Sequence, residues 1–170
     1  MINDGSHDHS FWLMFYSQLV DGVGLNDDEL RDQLVTAVRD SGNWDQILPG
    51  TREQLQQIGS RYRLGVISNA DGRIADVLQR CGIADCFQSI TDSGRIGYEK
   101  PHPEIFRRAM ESLKSMPQES LYVGDVYSVD YLGATGAGMQ ALLMDIAGAY
   151  VDKGVERVES LEELQALLET

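Results

Sequence analysis

From Thr51 onward, short apolar runs alternate with segments of helical periodicity, and this alternation dictates a parallel sheet. Strands joined through helices cannot be hairpin partners, so the crossovers must cover the faces of the sheet. Strands are read at Arg63–Ile67, near Phe87–Ile90, at Leu121–Val123 and at Ala141–Met144. Between them, Ile74, Val77 and Leu78 form a helical stripe closed by Gly82. Ile105, Phe106, Ala109, Met110 and Leu113 form another behind Pro103, a residue suited to a first helical turn. Thr51-Arg-Glu-Gln54 and Ser160-Leu-Glu-Glu163 have the form of capping boxes, the first opening a helix to about Ser60 and the second the closing helix.

The stretch from 10 to about 48 is different in kind, because it reads as helical throughout. Phe11, Trp12, Phe15, Tyr16 and Leu19 recur at helical spacing until Gly22 and Gly24. Asn26 can cap a second helix, whose apolar stripe is Leu30, Leu34, Val35 and Val38. Pro49-Gly50 marks the boundary, leaving a leader at 1–9, a helical unit at 10–48 and an α/β core at 49–170. The 170 residues suffice for one core with a small insertion.

In open parallel sheets the site forms at the carboxyl ends of the strands. Three such loops carry complementary polar groups: Ser68-Asn69, Lys100 within Gly97–Pro103, and Gly124-Asp-Val-Tyr-Ser-Val-Asp130. Taken singly, these are a turn, a surface lysine, and a helix cap with a solvated acid. Together they suit phosphoryl chemistry: carboxylates hold a hard cation, lysine offsets phosphate charge, and a hydroxyl donates to a phosphoryl oxygen. The net charge of −13 disfavours nucleic acid, though local donors and a metal can still receive a small phosphorylated molecule. No apolar run approaches the ~20 residues that span a bilayer, and the start lacks the regions of a secretory signal, so a cytoplasmic protein is expected.

Other motifs carry plainer readings. Cys81 and Cys86 have no second pair and read as reduced, mostly buried thiols. His7 and His9 around Asp8 could bind a metal but read as a solvated tail, and His102 caps or abuts the Pro103 helix. Gly133, Gly136 and Gly138 imitate a dinucleotide loop, yet they follow a helical segment rather than a strand, which points to close helix packing.

The motifs Ile67-Ser-Asn-Ala-Asp-Gly72, Gly97-Tyr-Glu-Lys-Pro-His-Pro103 and Val123-Gly-Asp-Val-Tyr-Ser-Val-Asp130 resemble the second, third and fourth motifs of the haloacid dehalogenase-like hydrolases. The resemblance covers about residues 10 to 170. It implies a three-layer Rossmann-like parallel sheet with a small helical cap at 10–48, and Mg²⁺-dependent phosphomonoester hydrolysis of a small metabolite. By that resemblance Ser68, with Asn69, binds the transferring phosphoryl group and Lys100 steadies the charged intermediate. Asp125 is the metal ligand, and Asp130 supports both metal and lysine.

The departure lies at the front. Asn3-Asp4-Gly5-Ser6 resembles the tail of the family's first motif, which would make Asp4 the acid/base residue and put Ile2 where the nucleophilic aspartate stands. The expectation is a chain that begins too late to carry its nucleophile and its first strand, and so is inactive or impaired. Asp4 acting as nucleophile would lack the rigid strand that role needs. By the same resemblance the absent strand lies centrally, between those ending at Ser68 and Asp125. The flanking strands would then close up, or a second copy would cover them in a homodimer, or the natural product is longer. A non-catalytic binding or association protein is the alternative function, and 2-haloacid dehalogenase chemistry a lesser one.

Overall fold

A computed structural model of the chain describes residues 10–169, so Asp4, His7 and His9 lie outside the described residues. The helical unit consists of α1 (Ser10–Gly22) and α2 (Asp28–Arg39), packed on each other. Asp27, not Asn26, caps α2: its side chain accepts from the Leu30 N–H at 2.9 Å. Asn26, Asp27 and Asp28 are all capping types, and Asp27, held in extended backbone directly before the helix, takes the role. The core begins with α3 (Thr51–Gly59), where the expected capping box does not form. Gly50, at φ +83°, takes the position before the helix, so Thr51 already lies inside it.

The core continues as β1 (Gly65–Ser68), α4 (Ile74–Arg80), β2 (Ser89–Asp92), a single turn α5 (Ser93–Ile96) and α6 (Pro103–Leu113). There follow β3 (Leu121–Gly124), a π-helical turn at 127–131, α7 (Leu132–Gly136), β4 (Gln140–Met144), β5 (Arg157–Val158) and α8 (Leu161–Leu168). His102 caps α6, its Nδ1 accepting from the Glu104 N–H. Ser160 caps α8 by accepting from the Glu163 N–H, while the Glu163 carboxylate reaches back to the N–H of Glu159.

All observed strand pairs are parallel: β1 with β2, and β3 with β4 with β5. Side chains alternate across each strand and feed two cores. On one face Tyr122 and Ala141 meet Ile105, Phe106 and Met110 of α6 and Ala134 of α7. On the other, Val123 and Leu142 meet Ile58 of α3 and Leu164 of α8. Ile67 of β1 packs into the first cluster, so α6 covers strands of both sheets.

Among the described residues the sheets stay separate, of two and three strands. β1 pairs only with β2, and β3 pairs only with β4 on the side it shares with a strand, so the strands that flank the expected gap do not close up on each other. The glycines after Asp130 divide. A Cβ on Gly133 would lie 2.9 Å from the Phe106 ring and 3.1 Å from Pro101 Cα, the close packing expected, whereas Gly136 faces open space.

Candidate functional site

The ends of β1 and β3 converge on Lys100. Asn69, one residue beyond β1, grips the Lys100 backbone at two points: Oδ1 accepts from its N–H at 2.7 Å, and Nδ2 donates to its carbonyl at 3.0 Å. The Lys100–Pro101 bond is cis. The lysine side chain turns inward, only 12% exposed, and its Nζ donates to Asp130 Oδ1 at 2.8 Å and to the Tyr122 hydroxyl at 2.9 Å. Lys100 is therefore paired with Asp130, while no bond joins it to Asp125, the other carboxylate expected near it.

Asp130 is held from the other end of the same turn. Its Oδ2 accepts from the Val126 N–H at 2.9 Å, closing the loop that follows β3, and Tyr122 donates to Oδ1 at 3.0 Å. This fold-back is possible because residue 124 is glycine: a Cβ there would stand 2.5 Å from Asp130 Cγ. Burial alone would raise the Asp130 pKa, but the Lys100 charge and the bonds from Lys100, Val126 and Tyr122 outweigh it and hold the carboxyl below its ordinary value. Burial, reinforced by the Asp130 charge, pushes Tyr122 far up, so it stays a neutral phenol and a donor.

Both Asp130 oxygens thus already accept bonds from the protein. Asp125 is exposed and is the carboxylate of this motif that a cation can reach from solvent. One carboxylate, with water completing the shell, is a common way of holding Mg²⁺, so the donor set fits a weakly held ion. Among the described residues no cluster of three or more acidic, histidine or cysteine ligands occurs. Ser68, at the end of β1, is partly buried, with no hydrogen bond to its hydroxyl among the described residues. The Asn69 carboxamide is committed to Lys100, which leaves its backbone N–H as the group that could meet a phosphoryl oxygen.

Two elements of the site escape a sequence reading. Tyr122 sits in an apolar strand and looks like core; only its hydroxyl, placed by edge-on packing against Phe106 at 5.2 Å, makes it part of the site. Asp92 ends β2 and is 2% exposed. It accepts from the N–H groups of Gly72, Ile74 and Gly94, fixing the loop after β1. Ser93 completes the tie, its hydroxyl bonding both the N–H and the carbonyl of Ala70. Thr-Asp-Ser at the end of a strand is a capping signal that could have pointed to both.

The family profile described as haloacid dehalogenase-like hydrolase matches residues 17–144. A haloacid dehalogenase-like hydrolase domain-containing protein 3 from Bos taurus is 30% identical over 148 residues, covering 84% of this chain and 59% of that protein. A glyceraldehyde 3-phosphate phosphatase from Methanothermobacter thermautotrophicus is 39% identical over 99 residues, covering 57% of this chain and 44% of that protein. The chain thus spans well under two thirds of the length of these relatives. Among solved structures, a phosphatase of the same superfamily from Thermococcus onnurineus superposes with a TM-score of 0.70 at 24% identity, covering 93% of this chain and 88% of that one.

Proposed function

We propose that this chain, which belongs to the haloacid dehalogenase-like hydrolases, carries the phosphoryl-binding and charge-balancing part of a phosphomonoesterase site. The observation that supports this reading best is the Lys100 ammonium, held 2.8 Å from buried Asp130, with the Lys100 backbone gripped by Asn69 after β1 and Asp130 bonded within the loop after β3. In this reading the Ser68 hydroxyl and the Asn69 N–H donate to phosphoryl oxygens, and Lys100 offsets the charge that gathers between phosphate and attacking group. Asp125 would hold Mg²⁺, which when bound supplies further neutralisation of the phosphoryl oxygens. The substrate class is a small phosphorylated metabolite: a net charge of −13 disfavours nucleic acid, while local donors and a bound cation can still receive a single phosphate group.

Ile2 stands in the nucleophile's register set by Asp4, so catalysis by these 170 residues is expected to be absent or severely impaired. Loss of a nucleophile costs on the order of 10⁴ to 10⁶ in rate and leaves binding and electrostatics behind. Assays with p-nitrophenyl phosphate and Mg²⁺ should therefore give little or no release of nitrophenolate. Clear turnover that disappears on Asp125→Ala would overturn the impaired reading. Turnover that disappears on Asp4→Ala would favour Asp4 as the nucleophile over Asp4 as acid/base beside an absent nucleophile.

Association of two copies belongs to the same reading. β1 and β3 are parallel strands that expect burial and pairing on both sides, yet each is hydrogen-bonded to a strand on one side only among the described residues. Met14, Leu19 and Val23 of the helical unit add exposed apolar surface at 57%, 46% and 65%. Light scattering over a dilution series should show a dimer that dissociates on dilution; a monomer at every concentration with a cooperative melt would contradict it.

A further inference from the structure

The pair formed by Lys100 and Asp130 does not by itself explain why the ammonium stands where it does. A lysine side chain carries four flexible carbons, about 2 kcal/mol of rotamer entropy, and a strongly hydrated head that drifts toward water. Something must fix both ends of it. We infer that Asn69 and Tyr122 are positioning residues for Lys100, Asn69 setting its backbone and Tyr122 its ammonium. This rests on the reading of Lys100 as the charge-balancing group of the site.

The geometry supports each half separately. The Asn69 carboxamide matches a peptide group, offering one acceptor and one donor at the same reach, and it uses both on the N–H and carbonyl of one residue, at 2.7 and 3.0 Å. Aspartate would lose the donor and alanine would lose both. The loop carrying Lys100 is thereby registered to the end of β1, where Ser68 stands.

Tyr122 works from the other side. Its hydroxyl accepts from Lys100 Nζ at 2.9 Å and donates to Asp130 Oδ1 at 3.0 Å, closing a triangle whose third edge is the 2.8 Å ion pair. The ammonium also lies 5.6 Å from the centre of the Tyr122 ring. The ring in turn is edge-on to Phe106, which is fully buried, so the hydroxyl's position is set by the core. Loss of that hydroxyl removes one of the two groups that Nζ bonds in this structure and leaves the ion pair alone to hold it.

The sequence provides a direct readout, because its lysines are Lys100, Lys114 and Lys153. Lys114 and Lys153 are exposed and serve as internal references. The full chain, labelled with limiting acetic anhydride at one fixed pH and analysed by peptide mass spectrometry, should show Lys100 acetylated far less than either reference. In Tyr122→Phe, which keeps the ring and its packing, the labelling of Lys100 relative to the references should rise roughly five-fold, the equivalent of one ordinary hydrogen bond. Asn69→Ala should give a rise of similar size by releasing the loop. Unchanged relative labelling of Lys100 in Tyr122→Phe overturns the inference, and so does an equal rise at all three lysines, which would mean that these residues serve the fold at large. If Asn69→Ala does not fold, Tyr122→Phe still decides. The readout contains no phosphate: a Lys100-specific rise in a chain that binds no phosphate would sink the proposed function and leave the positioning roles standing.

Discussion

Gly124→Ala is expected to dismantle the site and lower the stability of the chain by on the order of 4 kcal/mol. The added methyl would stand 2.5 Å from Asp130 Cγ, 2.6 Å from its Cβ and 2.9 Å from Oδ2. These atoms cannot yield cheaply, because Oδ2 is bonded to the Val126 N–H and Oδ1 to Lys100 and Tyr122. Overpacking of a tight interior costs about 1–3 kcal/mol, and a separated buried ion pair adds several more. Chemical denaturation measures the loss, and neighbouring glycines calibrate it. Gly133→Ala, facing Phe106 and Pro101, should cost about 1–3 kcal/mol. Gly136→Ala, helical and facing open space, should be neutral or stabilise by up to about 1 kcal/mol. A Gly124→Ala chain as stable as the parent would mean that Asp130 does not fold back against the end of β3.

Lys100→Met should cost about 3–5 kcal/mol at neutral pH, the penalty for leaving a buried carboxylate without its cation. Asp130 is 2% exposed and cannot reach water for compensation. Asp130→Asn should cost less, since the stranded Lys100 is 12% exposed on its side chain and can extend toward solvent. The pH dependence separates this from general damage. In the parent, the folded Asp130 pKa lies below its ordinary value. Its contribution is therefore fully present above about pH 4 and is lost as the pH falls through the lower folded value. In Lys100→Met the desolvation cost dominates and the folded pKa rises above the unfolded one. That variant should gain stability relative to the parent as the pH drops from about 7 toward 4. A loss under about 1 kcal/mol with an unchanged pH profile would contradict a buried, functional pair.

The order of the first four strands and of the longer helices was legible because those elements are long enough to show their period. The strands at Leu121–Gly124 and Gln140–Met144 differ from the expected runs by one residue at an end. β5 was not legible, since Arg157–Val158 is too short to show any alternation. The ends of helices misled for a related reason. Capping types cluster at Asn26–Asp28 and at Gly50–Thr51, and backbone angles, which composition does not reveal, select among them.

Within the site the readable part was the charged part. Lys100 and Asp130 lie 30 positions apart and meet as the motif order implies. What holds them was hidden, because Tyr122 looks like any core aromatic and Asn69 looks like a ligand-facing amide. Whether a side chain turns toward a ligand or toward a neighbouring backbone is decided by a few tenths of an ångström in the loop. The motif names the residue without naming that choice.

Calorimetric titration of the 170-residue chain with inorganic phosphate, with and without Mg²⁺, tests the central claim most directly. The account predicts saturable binding in roughly the millimolar range, about 4 kcal/mol, strengthened by Mg²⁺. Ser68→Ala should weaken binding about ten-fold, as expected for a lost hydrogen bond to a charged group, and Asp125→Asn should abolish the Mg²⁺ enhancement. Absence of saturable binding, or binding of equal strength in Ser68→Ala and Asp125→Asn, would contradict a phosphoryl site at the converging ends of β1 and β3.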